Sequence, residues 1–270
     1  MVNDTITSLL TKDDLVFHLK RIGIENGDVL EVHSSLSSLG YVIGGAQSVV
    51  DALLKAVGEE GTLVMPLQFS NNSEPLYWQN PPIDISLMAT VRKKTPPFDP
   101  ICNDLSGMGE VVENLRRRKN AIFSSHPSCA FVAYGKYAPL ICNRQSYHFP
   151  LGDDSPTARL VETRAKFLCI GTQLDTLTSL HLAQYRANTY PVCINGANIL
   201  TNGIVNWKKY LDLYGIDSDW FVKIQPALLK RRQLFVDKIG LANVYYGYVS
   251  QVVEALTKHL EVTTPLALYR

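Results

Sequence analysis

Residues 29–57, VLEVHSSLSSLGYVIGGAQSVVDALLKAV, read as a strand, a serine-rich loop and a helix. Val29 to His33 follow the turn Asn26-Gly27-Asp28, and a short, mostly apolar run after such a turn predicts a strand. Val49, Val50, Leu53, Leu54 and Val57 recur at helical spacing, and Gly58 supplies a stop. The same alternation continues on either side. Leu15, Val16, Leu19 and Ile22 predict a helix that Thr11 and Asp14 would start, and Thr62 to Pro66 predict a strand. Met108, Val111, Val112 and Leu115 mark another helix, which closes in the basic run 116–119. Cys129–Ala133 and Lys166–Gly171 predict buried strands, the second feeding a helix from about Thr178 to Ala187. A last helix is expected from about Asn243 to His259, carrying Tyr245, Tyr246 and Tyr248. Strands alternating with helices imply a layered α/β fold. No repeat or linker divides the chain, so 1–270 is read as a single domain. The Pro-, Asn- and Ser-rich stretch from Gln68 to Ile85 is long enough to be functional.

Composition narrows the function classes. A hydrophobic fraction of 46% in 270 residues excludes wholesale disorder. With 26 Lys+Arg against 25 Asp+Glu, the net charge of +1 argues against nucleic acid or an anionic membrane as the main partner. No apolar run approaches the roughly 18 residues of a membrane span. The start, MVNDTITSLLTKDDL, lacks the basic-then-apolar pattern of a signal peptide, so a cytoplasmic location is expected. Cysteines 102, 129, 142, 169 and 193 form no CxxC pair. They read as reduced thiols, Cys129 and Cys169 in the core, with no metal site expected.

Two stretches could carry chemistry. Ser34, Ser35, Leu36, Ser37, Ser38, Leu39 and Gly40 lie between the strand and the helix opened by Gly44-Gly45. This is either an ordinary connection or a place where backbone amides and a helix N-terminus cradle an anionic cofactor. It is neither a Walker loop nor a GxGxxG turn. Farther along, Thr178, His181 and Gln184 would share one side of a helix, with Asp175 in the preceding turn. His181 is then either a surface histidine beside a capping aspartate or a proton acceptor that a carboxylate orients. His126 and His148 sit in turn-like surroundings that suit structural roles. The run 116–119 is either a solvated helix end or a phosphate contact.

Several blocks in order resemble the antibiotic N-acetyltransferase family, the aminoglycoside 3-N-acetyltransferases and their relatives. They are HSSLSSLGYVIGG (33–45), GTLVMP (61–66), PLYWQNPP (75–82), PPFDP (96–100), GMGE (107–110), SSHPSCAFVAYG (124–135), LGDDSP (151–156) and GTQLDTLTSLHLAQYRA (171–187). The resemblance implies a three-layer α/β/α fold, distinct from the GNAT acetyltransferases, and acetyl transfer from acetyl-CoA to an amine. It places the pantetheine and phosphates of CoA on Ser34 to Gly40. The catalytic histidine of the family's HLAE motif falls on His181, and the acidic residue before it on Asp175. The sequence departs from the motif at Gln184, where the family has glutamate, and at Gln173 and Leu177.

On that resemblance His181 is expected to take the proton of the attacking amine, with Asp175 steadying the imidazolium. Thr178 or backbone amides would stabilise the oxyanion. No cysteine has an evident partner base, so direct attack is expected rather than an acetylated enzyme. Gln184 can keep the geometry of a glutamate but not its charge. The acceptor is therefore read as an amino sugar, nucleotide-linked or not, at least as readily as a polycationic antibiotic. A weakened CoA-binding relative is the rival class, and monomer and homodimer both remain open.

Overall fold

The computed structural model describes residues 6–105 and 107–263. The strands are β1 (Leu9–Leu10), β2 (Val29–Ser34), β3 (Tyr41–Val42), β4 (Thr62–Gln68), β5 (Ile122–Phe123), β6 (Cys129–Gly135), β7 (Lys166–Ile170), β8 (Val192–Thr201), β9 (Ile204–Leu213), β10 (Phe235–Ile239) and β11 (Ala242–Tyr248). A seven-stranded sheet runs in the order β10-β11-β7-β2-β4-β6-β5. Its centre, β7-β2-β4, is parallel, and the strands beyond it on both sides are antiparallel.

Alternation along these strands builds two cores. Leu30, Val32, Leu63, Met65, Leu168 and Ile170 face helices α1 (Lys12–Arg21) and α2 (Gly45–Val57) and, farther along the sequence, Glu110–Arg116. Val29, Val64, Phe131, Phe167 and Cys169 face the other side, where the segments Ala138–Cys142, Pro156–Glu162, His181–Ala187 and Val249–Thr263 pack. Counting Ile85–Lys94 as α3, these five helices are α4, α5, α6, α7 and, after the short α8 (Asp219–Lys223) and α9 (Gln225–Lys230), α10. The result is the expected three-layer α/β/α arrangement. Among the described residues no helix is long and apolar enough to cross a membrane.

One reading of the sequence is corrected. The final helix starts at Val249, not near Asn243, because residues 242–248 form a strand that carries the three tyrosines and pairs through Val244–Tyr248 with Lys166–Ile170. Tyrosine suits a half-buried pleated surface, and here the strand's burial alternates. Residues 192–213 form a long antiparallel hairpin outside the main sheet, turning at Asn202 (φ 52°) and Gly203 (φ 77°). An Asn-Gly pair between apolar runs is the residue pattern of a two-residue hairpin turn. The hairpin is fastened to the segment after β4. The Asn72 side chain accepts from the Asn198 amide at 2.8 Å and donates to its carbonyl at 3.0 Å.

Candidate active site

The chain leaves β2 through α2 on one face and reaches β7 through α6 on the other. A crevice therefore opens at the carboxyl ends of these neighbouring parallel strands, where open α/β sheets bind ligands. The serine loop crosses it as a 3₁₀ turn, Leu36–Leu39, pinned by the Ser35 amide donating to the Ile170 carbonyl at 2.8 Å. Gly171 (φ +65°) permits this closeness, since a Cβ there would lie 2.2 Å from that of Ser38.

Two cavities share this crevice. The first, about 610 Å³, is lined by Ser34, Ser35, Leu36, Ser37 and Gly40 of the loop, by Gly45 at the start of α2, and by Gly109 and Glu110 at the start of α4. The second, about 310 Å³, holds His33, Gln68, Asp175, Thr176, Thr178 and His181. Ser34, Gly107, Met108 and Thr172 line both, so the spaces are continuous. Two loop residues expected at the cofactor do not line the cleft. Leu39 is buried in the core, and the Ser38 hydroxyl donates to Ser35 Oγ at 2.9 Å.

His181 opens α7 directly after the turn Thr178–Leu180, and its ring meets Phe221 edge-on at 5.0 Å. Its Nδ1 lies 2.7 Å from Gln184 Oε1. The Gln184 amide nitrogen donates to the Asp217 carbonyl at 2.8 Å and to Tyr190 Oη at 3.2 Å. A carbonyl can only accept, so the amide is oriented with its oxygen toward the histidine. Nδ1 must then carry the ring proton, and Nε2 keeps its lone pair. Burial holds this imidazole below the usual histidine pKa, against the opposing pull of the Gln184 bond and of the Asp217 and Glu31 carboxylates. At neutral pH the ring is an uncharged base.

Asp175 does not orient it. Leu174 and Leu177 are fully buried anchors, which leaves Asp175 between them exposed on the cavity wall, and Gln184 is the ring's partner instead. Two residues not singled out from the sequence complete the site. Glu31 is wholly buried in β2, and its Oε1 lies 3.1 Å from His33 Nε2 and 3.2 Å from the Ser179 amide. The Thr178 amide also approaches His33 Nε2, at 3.3 Å. The available signal was an acidic residue in the middle of a strand that is otherwise apolar.

The remaining candidates are structural. Arg116 donates to Glu113 and to the carbonyls of Pro100 and Asn103, and Arg118 pairs with Asp51 at 2.8 Å. The basic run thus sits at the far end of α4 from the cleft. His148 Nδ1 accepts from the Leu211 amide. Contrary to expectation, one cysteine does have a neighbouring base, with Cys129 Sγ 3.3 Å from His126 Nδ1. Burial lowers the pKa of that histidine to about 3 and pushes the thiol up. Neither lines the cleft.

Residues 32–261 match the family model described as aminoglycoside 3-N-acetyltransferase. The chain belongs to that family. It is 34% identical over 249 residues to the SPbeta prophage-derived aminoglycoside N(3')-acetyltransferase-like protein YokD of Bacillus subtilis (strain 168), covering 92% of this chain and 91% of that one. The crystal structure of YokD superposes with a TM-score of 0.91 over 95% of each chain. Aminoglycoside N(3)-acetyltransferase VIII of Streptomyces fradiae is 33% identical over 219 residues, 76% of this chain and 71% of that one. A structure of AAC-IIIb with CoASH is 26% identical, with a TM-score of 0.83 over 94% of this chain and 97% of that one. Membership of the aminoglycoside 3-N-acetyltransferase family makes this protein an acyltransferase.

Proposed function

We propose that this chain transfers the acetyl group of acetyl-CoA to an amine of an aminoglycoside-type amino sugar, with His181 Nε2 taking the amine proton. The observation that carries this reading is a neutral imidazole, its free nitrogen fixed by Gln184, on the wall of a cavity continuous with the serine-loop cleft. The donor set of that cleft suits CoA. Serine hydroxyls fit the amides of pantetheine, and α2 begins at Gly45 with no acidic residue in its first turn, which suits a diphosphate. A positioned base contributes about 10²–10⁴-fold to such a transfer. Thr178 lines the cavity that holds His181, and its hydroxyl is the candidate donor for the developing oxyanion, since the Thr178 and Ser179 amides already donate to His33 and Glu31.

A second reading of the acceptor rests on charge. Asp175 is the one carboxylate lining the acceptor cavity among the described residues, and Gln184 is neutral. That favours a sugar with a single free amine, nucleotide-linked or not, over a polycation. Free-thiol release from acetyl-CoA with gentamicin-type aminoglycosides and UDP-amino sugars tests both readings. A kcat/KM above about 10⁴ M⁻¹s⁻¹ with an aminoglycoside selects the first. Turnover confined to the monoamine sugars selects the second, and thiol release with neither class rejects the amino-sugar acceptor.

A further inference from the structure

The Glu31–His33 pair has the geometry of a second proton-transfer unit. A carboxylate taken wholly out of water persists when donors meet it. Glu31 Oε1 accepts from the Ser179 amide and lies 3.1 Å from His33 Nε2, while Oε2 has no hydrogen-bond partner among the described residues. Nε2 faces Glu31 Oε1 at 3.1 Å and accepts from the Thr178 amide at 3.3 Å, so it is the ring nitrogen the protein engages, and a proton on that side is held between Oε1 and Nε2. His33 Nδ1 is then the nitrogen left for the cavity that the ring lines. With a second proton on Nδ1, the buried pair is electrically neutral as a whole. His33 also precedes Ser34, which lines both cavities. This junction is where the thioester sulphur must lie if the pantetheine arm follows the serine loop and the amine approaches from His181.

We propose that His33 Nδ1, held by Glu31, donates a proton to the departing CoA sulphur. The inference rests on the acetyl-transfer reading above. The amine nitrogen bonds to the carbonyl carbon and gives its proton to His181 Nε2. The carbon–sulphur bond breaks with its electron pair on sulphur, and sulphur takes the Nδ1 proton. One proton enters at His181 and one leaves at His33, and exchange with water resets both. The groups facing His33 are Glu31 on its own strand and, across the cavity, Asp175 and His181.

The test varies the leaving group. His33→Gln should slow transfer from acetyl-CoA about tenfold or more, the scale of general acid–base assistance. It should change transfer from the acetyl thioester of nitrothiophenol, whose thiolate needs no proton to leave, by less than about threefold. Glu31→Gln, which keeps a hydrogen-bond acceptor without the charge, should show the same contrast more weakly. Each donor ratio is read within one preparation, so a misfolded fraction cancels. Equal losses on both donors overturn the proposal. A parent protein that acetylates no amine overturns the acetyl-transfer reading itself.

Discussion

Replacing His181 with alanine removes the proposed base without touching the serine loop. Turnover should fall about 10²–10⁴-fold while CoA affinity by calorimetry stays near that of the parent. Near-normal turnover in the folded variant would dismiss His181. Because burial lowers this imidazole, the acid limb of kcat/KM should lie below the roughly 6.5 of a free histidine. Gln184→Glu should act on two observables. An ionised carboxylate against Nδ1 stabilises the imidazolium, raises the pKa and moves the acid limb to higher pH. The variant also loses the amide donor to the Asp217 carbonyl, costing about 1–3 kcal/mol in urea unfolding. At this scale the sequence was partly legible. The motif around His181 pointed to a histidine that does line the cleft, but Asp175 was misjudged because two buried leucines turn it outward. Glu31 was read only as part of the strand and His33 only as the head of the serine segment, because their meaning depends on which face of the strand α7 covers.

Among the elements, the serine loop and β7 are held together by a contact that only glycine allows. Gly171→Ala must add a Cβ at positive φ and into Ser38. It should destabilise the fold by about 1–3 kcal/mol and weaken CoA binding as the loop lifts from Ile170. A melt and a CoA titration unchanged from the parent would show that the loop tolerates the displacement. Strong helices such as α1 and α2 were legible because caps and apolar spacing agree. The strand Ala242–Tyr248 was not, since its pairing with Lys166–Ile170 lies more than seventy residues away in sequence. The hairpin was legible in principle through Asn202-Gly203, but its long arms lack a clean apolar alternation.

For the whole molecule, a ligand that binds only the folded chain must stabilise it. CoA at a hundred times its Kd should add about 2.7 kcal/mol. For a chain of this size that amounts to roughly 5–10 °C in Tm. The shift should shrink in Gly171→Ala and persist in His181→Ala, which separates cleft from base in one experiment. An absent shift in the parent would remove CoA from the cleft.

The orientation of the Gln184 amide has a consequence for the evolution of the gene. Glutamine and glutamate codons differ by a single base, so the family's usual carboxylate is one mutational step away. A carboxylate at 184 would set an oxygen against the carbonyl of Asp217, where an amide nitrogen now donates. That step alone loses stability, so it should spread only after, or together with, a change that turns the 217 backbone away. Selection for the proposed acetyl transfer should therefore recover Gln184→Glu in company with substitutions in the segment joining β9 to α8, seldom as the lone change.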